Sequence, residues 1–545
     1  VSGSVIISSF AALTFTPMLA TKLLIKREQQ SWFYRKTEPF FEGMNRVYSQ
    51  SLAAFLKRRW IALPFTIVTI LLIGVLWNTI PAEMAPLEDR SQISINTMGA
   101  EGVTYEYIRD YTEDINHLVD SIIPDAEAVT ARVSSGSGNV RITLKDMKDR
   151  DYTQMEVAEK LSKAVQKKTM ARSFVQQSSS FGGRRGGMPV QYVLQATNIE
   201  KLQEVLPKFM TKVYENPVFQ MADVNLKFSK PEARININRD KASIMGVSTK
   251  NIAQTLQYGL SGQRMGYFYM NGKQYEILGE INRQQRNKPA DLKGIYIRSD
   301  NGNMVQLDNL IELTGGIAPP KLYRYNRFVS ATISAGLADG KTIGQGLDEM
   351  DKIAKETLDE TFRTALTGDS KEYRESSSSL MFAFILAIVL IYLILAAQFE
   401  SFKDPLIIML TVPLAIAGAL VFMYFGDITM NIFSQIGIIM LIGLVAKNGI
   451  LIVEFANQKQ EAGEDKMRAI KDASLQRLRP ILMTSASTIL GLIPLAYATG
   501  EGCNQRIAMG TAVVGGMLIS TLLTMYIVPA IYSYVSTNRS KLKTE

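Results

Sequence analysis

Six apolar stretches limit what this chain can fold into more than any other feature. They run from 60 to 80, 380 to 397, 405 to 425, 432 to 456, 480 to 499 and 507 to 535. Each is long enough to cross about 30 Å of hydrocarbon. Residues 1 to 20 make a seventh. Hydrocarbon offers no water to the backbone, so such segments must satisfy their own N–H and C=O groups, which selects helices. Between the second and third of these seven runs, residues 82 to 375 read as an ordinary water-compatible region, and the last five runs follow with short connections. The whole-chain hydrophobic fraction of 47% therefore averages two unlike solvents. Val1 stands inside the first run with no basic segment before it, which argues against a signal peptide and leads us to expect a chain that begins within a membrane span.

The basic residues sort by loop. The segment from 21 to 59 holds nine Lys or Arg, the loop after Phe455 six, the tail three and the loop at Lys403 one, against only Arg506 in the opposite short loops. By the positive-inside rule the basic loops are cytoplasmic, which puts 82 to 375 outside, in the periplasm of a Gram-negative cell. Within 21 to 59, Trp32, Phe33, Phe40, Phe41, Val47, Leu52 and Phe55 interleave with basic residues, a pattern that suits a helix lying at the cytoplasmic interface.

The middle region alternates between helix and strand periods. A strand near 91 to 98, a helix from 103 to 121, strands near 127 to 133 and 139 to 145, and a helix from 153 to 169 read as β-α-β-β-α, lacking a closing strand near 172 to 175. A second copy begins with QYVLQA at 191, continues as a helix from 199 to 214 and a strand near 220 to 227, and resumes at FVSATISA (328) with a helix from 343 to 360 and a strand from 362 to 367. An insert of about 230 to 325 interrupts it, with its own strands, two short helices and the turn-marked pair YIRSDNGNMVQL.

Composition excludes much familiar chemistry. One cysteine, Cys503, allows no intrachain disulfide, and one histidine, His117, leaves little for a metal cluster or a His-dependent catalyst. AGLADGKT (335–342) fits a relaxed phosphate-loop pattern, but Ala335 replaces the first glycine, no nucleotide pool is expected outside the cell membrane, and Thr342 serves as a helix cap. An ATP-driven transporter thereby loses its sequence support. FGGRRGGMP (181–189) looks like a Gly-Arg nucleic-acid segment, yet it stands at a join between two lobes where flexible glycine is the ordinary explanation. No nucleic-acid partner, cofactor or metal is expected.

Lys447 carries the most information. It lies about ten residues from the cytoplasmic end of its run, roughly 15 Å deep at 1.5 Å per residue. An unpaired ammonium there costs at least about 2.5–3.5 kcal/mol, so a buried partner is expected. The only acid within any run is Glu454, two turns nearer the cytoplasm, so the partner belongs to sequence outside this chain. The plainer alternative is a lysine that locks helix packing or loses its proton on desolvation. Asn448 adds an amide beside it. Arg477 and Thr484 lie seven apart on the next run, two turns along one face, although an arginine at a helix end also snorkels without further purpose.

At these residues the chain resembles a known family. IGLVAKNGILIVEFA (442–456) and RLRPILMTSASTILGLIPL (477–495) resemble the tenth- and eleventh-span motifs of resistance-nodulation-division (RND) transporters, and LTFTPMLATKLL, PLEDR and LAAQFESFKDPLIIMLTVPLAIAGA agree. The similarity covers essentially the whole chain and looks closest to the hydrophobe/amphiphile (multidrug) branch. It implies an α-helical polytopic membrane bundle with α+β periplasmic subdomains: split βαβ, ferredoxin-like porter lobes with an inserted docking lobe. It also implies a twelve-span pump of two parallel repeats, of which this chain is the C-terminal half. Residues 1–20 would be part of the sixth span, 21–59 a cytoplasmic amphipathic segment and 60–80 the next span. The first porter lobe would cover 91–187, the second 188–229 with 320–370, and the docking insert 230–319. Five spans would fill 380–535, with a cytoplasmic tail at 536–545.

The same resemblance implies a proton relay in which Lys447, Arg477, Thr484 and Asn448 complete a fourth-span aspartate pair absent from this sequence. It implies substrate/proton antiport in the inner membrane, a homotrimer, a periplasmic membrane-fusion adaptor and an outer-membrane channel as partners, and no enzymatic chemistry. One departure matters. AEAVTARVSSGSGNVRITLKD (126–146) has no aromatic residue and a short loop where multidrug members place phenylalanines and a switch loop, so their drug-pocket residues do not transfer. Heavy-metal export, or export of a lipid or other metabolite, therefore stays open, the first requiring soft ligands such as Met98, Met147, Met155, Met170 and Met188 to converge. So does a non-transporting membrane scaffold from a truncated gene. The topology predicts that cysteines introduced at positions 300 and 465 differ in intact spheroplasts: external reagent should modify the first and spare the second, and the reverse pattern overturns the orientation.

Overall fold

The apolar runs fold as long helices. The computed structural model describes residues 2–23, 32–177, 188–318, 321–338 and 340–537. Among these, six helical stretches are long and apolar enough to cross a membrane: Arg59–Thr79, Gly368–Phe399, Lys403–Phe425, Ile432–Glu461, Lys466–Ala496 and Cys503–Val535. A further helix, Ser2–Leu23, occupies the first run. Lys403–Phe425 is two pieces, Lys403–Met409 and Thr411–Phe425. Pro413 explains the break, because its ring lacks the N–H that would reach back one turn and clashes with the carbonyl there. The stretch also begins at Lys403 rather than 405, which brings Asp404 into it and corrects the expectation that Glu454 is the only acid within a span.

The chain divides into two compact units, Val1–Pro86 with Arg374–Glu545, and Leu87–Tyr373. In the first, Cys503–Val535 is pressed against its neighbours at glycines. A Cβ on Gly515 would stand 2.4 Å from Phe422 Cβ, and one on Gly516 2.3 Å from Leu441 Cδ1 and 2.9 Å from the Ala415 carbonyl oxygen. Bare backbone at these positions permits the close approach that helix packing in lipid relies on. The helix Trp32–Lys57 buries Tyr48, Leu52 and Leu56, spaced four apart, in a core shared with Val528 and Ile531 of Cys503–Val535, while Phe40 and Val47 point outward. The Tyr48 hydroxyl donates to the Met525 carbonyl at 2.6 Å. Arg479 pairs with Glu38 at 3.1 Å and lies over the Phe41 ring.

In the second unit, Gln92–Met98, Ala128–Ser134, Ser137–Thr143 and Arg172–Gln177 form a four-stranded antiparallel sheet. Gln92–Met98 lies between the third and fourth of these, and Ala128–Ser134 forms an edge. Helices Tyr105–Ile122 and Gln154–Val165 cover it with Ile108, Tyr111, Ile115, Val119, Val157, Leu161 and Val165. Thr104 Oγ1 accepts from the Tyr107 N–H, and Thr153 with Glu156 makes a capping box, so side chains satisfy both helix starts.

Val190–Ala196, Phe219–Val224, Arg324–Tyr325, Phe328–Leu337 and Arg363–Leu366 make the second sheet. Ile199–Glu215 and Ile343–Thr357 share its core. Between Phe219–Val224 and Arg324–Tyr325 lies a separate core built on Ile252, Ile297, Leu307 and Leu310, with Lys230–Ile237 paired to Ile311–Ala318. YIRSDNGNMVQL forms a hairpin, Tyr296–Arg298 with Met304–Gln306. FGGRRGG, residues 181 to 187, lies outside the described residues.

One carboxylate ties two membrane-unit loops together. Glu83 accepts from the Thr429 hydroxyl, the Met430 N–H donates to the Pro81 carbonyl at 2.8 Å, and the Glu83 N–H donates to the Met430 carbonyl at 3.0 Å. Thr429 Oγ1 accepts from Asn431 Nδ2, and Asn431 Oδ1 caps Ile432–Glu461 by accepting from Phe433 and Ser434 N–H. Burial raises the Glu83 carboxyl above its usual range, partly opposed by the Thr429 bond. A raised carboxyl binds its proton more tightly in the folded state. This loop is therefore fully stabilised below the unfolded value and loses that contribution as pH rises through the folded one. Hydrogen exchange at the Met430 amide, corrected for intrinsic rate, should lose protection as pH rises above 4.5 in the wild type and not in Glu83→Gln. Equal pH dependence in both would show that Glu83 does not control the loop.

Candidate functional site

Lys447 stands fifteen residues after Ile432 and fourteen before Glu461, at the centre of its helix. Its half-buried ammonium donates to Thr488 Oγ1 at 3.4 Å. Thr488 in turn donates to the Thr484 carbonyl at 2.8 Å, one turn away. Among the described residues Lys447 has no carboxylate within ion-pair distance. Glu454 lies two turns off and accepts instead from Gln458. A cation this central needs an anion or a strong dipole, and Thr488 supplies one weak neutral acceptor.

Asn448, one residue on, points elsewhere. It is fully buried, and its Nδ2 donates to Ser485 Oγ at 3.3 Å and Thr521 Oγ1 at 3.4 Å, bridging three helices. Among the described residues its Oδ1 has no partner. A buried carbonyl left open in this way costs about 1–3 kcal/mol, so the position is conspicuous. Arg477 lies over the Phe455 ring at 4.3 Å, with its Nε buried and unbonded among the described residues. Thr484 Oγ1 donates to its own helix at Ile481. No hydrogen bond joins any two of these four residues among those described. The helices bring Lys447 to Thr488 rather than to Thr484, and Asn448 to Ser485 and Thr521.

Sequence reading missed a second polar cluster. Asp404, only 2% exposed, accepts from Asn457 Nδ2 at 3.1 Å; Asn457 Oδ1 accepts from the Tyr532 hydroxyl at 2.6 Å, and Gln460 Nε2 donates to Tyr532 at 2.6 Å. Asn457 lies nine residues after Asn448 and Gln460 three further on. Amides recurring along one apolar helix were the available signal.

In the Leu87–Tyr373 unit, a cleft of about 430 Å³ opens between the two sheet lobes. Asn96, Asn139 and Arg132 line one side, Gln191, Asp223 and Asn225 the other. Asn139 Nδ2 donates to Asn96 Oδ1 at 2.7 Å and Asn96 Nδ2 to Gln176 Oε1 at 2.9 Å, an amide ladder fixed by the strand register. Of the five methionines weighed as soft ligands, Met98 and Met188 line the cleft; Met147, Met155 and Met170 do not. Among the described residues no group of three or more His, Cys, Asp or Glu side chains is placed to hold a metal ion. At AGLADGKT, the Lys341 N–H already donates to the Ala338 carbonyl at 3.0 Å, so it is not free for a phosphate, and Thr342 stands at the N-cap of Ile343–Thr357.

Comparison with known proteins agrees with this division into apolar helices and sheet-bearing lobes. The chain is 30% identical over 551 aligned positions to an uncharacterized transporter of Haemophilus influenzae strain Rd, covering 99% of this chain and 53% of the relative. It thus spans about half the length of the curated relative it matches. The AcrB/AcrD/AcrF family matches residues 1–536, and with the match running through every helix and sheet described above, the chain belongs to that family of RND permeases.

Proposed function

We propose that this chain is the C-terminal half of a proton-driven RND inner-membrane efflux pump that exports drugs or other amphiphilic compounds by substrate/proton antiport. Lys447 carries the reading: a cation at the centre of an apolar helix, with one neutral acceptor and no carboxylate within ion-pair distance among the described residues. Its counter-ion belongs to the other half of the pump, an acidic pair whose protonation replaces an attractive ion pair by a neutral acid beside a cation. A charge crossing 100 mV releases only about 2.3 kcal/mol, so tight coupling at Lys447 is what makes the gradient useful. Asn448 holds the lysine helix to its two neighbours, Thr484 and Thr488 extend the polar track, and Arg477 supplies positive charge near one end of it. The 82–375 region lies in the periplasm, its cleft passes substrate, and the pump works as a homotrimer with a periplasmic adaptor and an outer-membrane channel. The bilayer is its solvent, and no cofactor takes part.

A second reading, export of a soft metal cation, has one observation in its favour: Met98 and Met188 share the cleft. Two thioethers attract Cu(I) or Ag(I) in preference to hard cations. Sensitivity of cells to silver should then rise in Met98→Ala. Unchanged silver sensitivity with altered drug sensitivity would remove this reading.

In the completed pump, Lys447→Ala should abolish efflux and leave expression, membrane insertion and assembly intact, whereas Lys459→Ala should do little. In proteoliposomes, transport should run on an imposed pH gradient without ATP. Normal efflux by Lys447→Ala, or transport that needs ATP and fails in Lys341→Ala, would refute the mechanism.

A further inference from the structure

Three cations come together at one rim of the Val1–Pro86 and Arg374–Glu545 unit. Arg59, Lys403 and Lys466 each open one of the apolar helical stretches. Lys466 lies within electrostatic reach of both other cations and of Asp404, whose side chain is buried and accepts from Asn457, and Arg59 also reaches Met467 Sδ beside Lys466 at 3.8 Å. Among the described residues none of the three has a carboxylate within ion-pair distance. Their bonds go to neutral groups. Arg59 donates to Ser533 Oγ at 3.2 Å and stacks over the Tyr534 ring at 4.4 Å, while Lys466 Nζ donates to the Ser536 carbonyl at 2.5 Å. Like charges held together in this way raise the energy of the rim, and an anion lying against them lowers it.

The surroundings say which anion. Trp60, beside Arg59, is 64% exposed; Phe402, beside Lys403, is 74% exposed. Aromatic rings of this kind favour the headgroup level of a bilayer. From Arg59 an apolar stripe continues along Ala62–Thr79 through Leu63, Ile67, Ile70 and Leu71, all exposed and spaced to share one face. A soluble phosphate has no use for that stripe, whereas a lipid with a phosphate at its head fits both features. We propose that Arg59, Lys403 and Lys466 bind the phosphodiester headgroup of an anionic phospholipid whose acyl chains lie along the exposed stripe of Ala62–Thr79. Basic pockets between membrane helices recognise anionic lipid in this way, and a guanidinium matches a phosphate's two oxygens.

Native mass spectrometry of the purified protein, titrated with phosphatidylglycerol or phosphatidylcholine, tests this. Phosphatidylglycerol should bind in preference. Lys403→Gln, at an exposed side chain with no packing role, should lower its affinity about fivefold, and the Arg59→Gln, Lys403→Gln, Lys466→Gln triple variant roughly a hundredfold. Arg59→Lys should retain most of it, and Lys459→Gln should change nothing, because Lys459 already pairs with Glu464 at 2.9 Å. Equal binding of the two lipids, unchanged affinity in Lys403→Gln, or displacement of the lipid by excess inorganic phosphate would each overturn the assignment, the last in favour of a free-phosphate site.

Discussion

A charge at the centre of an apolar helix cannot stand alone, and the arrangement around Lys447 follows from that. Hydrocarbon obliges the backbone to close its own hydrogen bonds, so the chain crosses as helices, and every remaining polar side chain must find a partner on a neighbouring helix. Asn448, Ser485 and Thr521 do so among themselves across three helices, and Asp404, Asn457, Tyr532 and Gln460 do so nearer one end. Among the described residues Lys447 finds only Thr488. Glycines at 515 and 516 let the last helix approach closely enough for the Asn448 bridge to reach Thr521.

Much of the fold is legible in the sequence because two periods and two solvents are written into it. The apolar runs leave little choice but helix, and the alternating segments of 91 to 169 give strands and helices at nearly the residues where they stand, whereas the closing strand Arg172–Gln177, read as lacking, is present. Of the helix starts, the cap at Thr342 was read from the sequence and stands at the N-cap of Ile343–Thr357, while the caps at Thr104, Thr153 and Asn431 emerged with the structure.

What was not legible is rotation about the helix axis. Sequence places Thr484 two turns from Arg477, but only the packing shows that Thr488, not Thr484, meets the ammonium and that Asn448 turns away from it. Asp404 was overlooked for a related reason: a proline-broken helix begins earlier than its hydropathy, so an acid at its first turn reads as loop. The cleft is a tertiary feature. No local pattern brings Asn96 and Asn225 to the same opening, although the pairing of Asn96 with Asn139 follows from strand register.

The proposed function requires a carboxylate beside Lys447 in the assembled transporter. Infrared difference spectra recorded through a pH titration report protonated carboxyl bands directly, and replacing Lys447 by Met keeps the length of the side chain while removing its charge. With the ammonium present, a neighbouring carboxylate is held ionised to lower pH; without it, the same group protonates at higher pH. The account predicts a carboxyl band whose titration midpoint moves upward in Lys447→Met. Superimposable carboxyl titrations in the two proteins would contradict it.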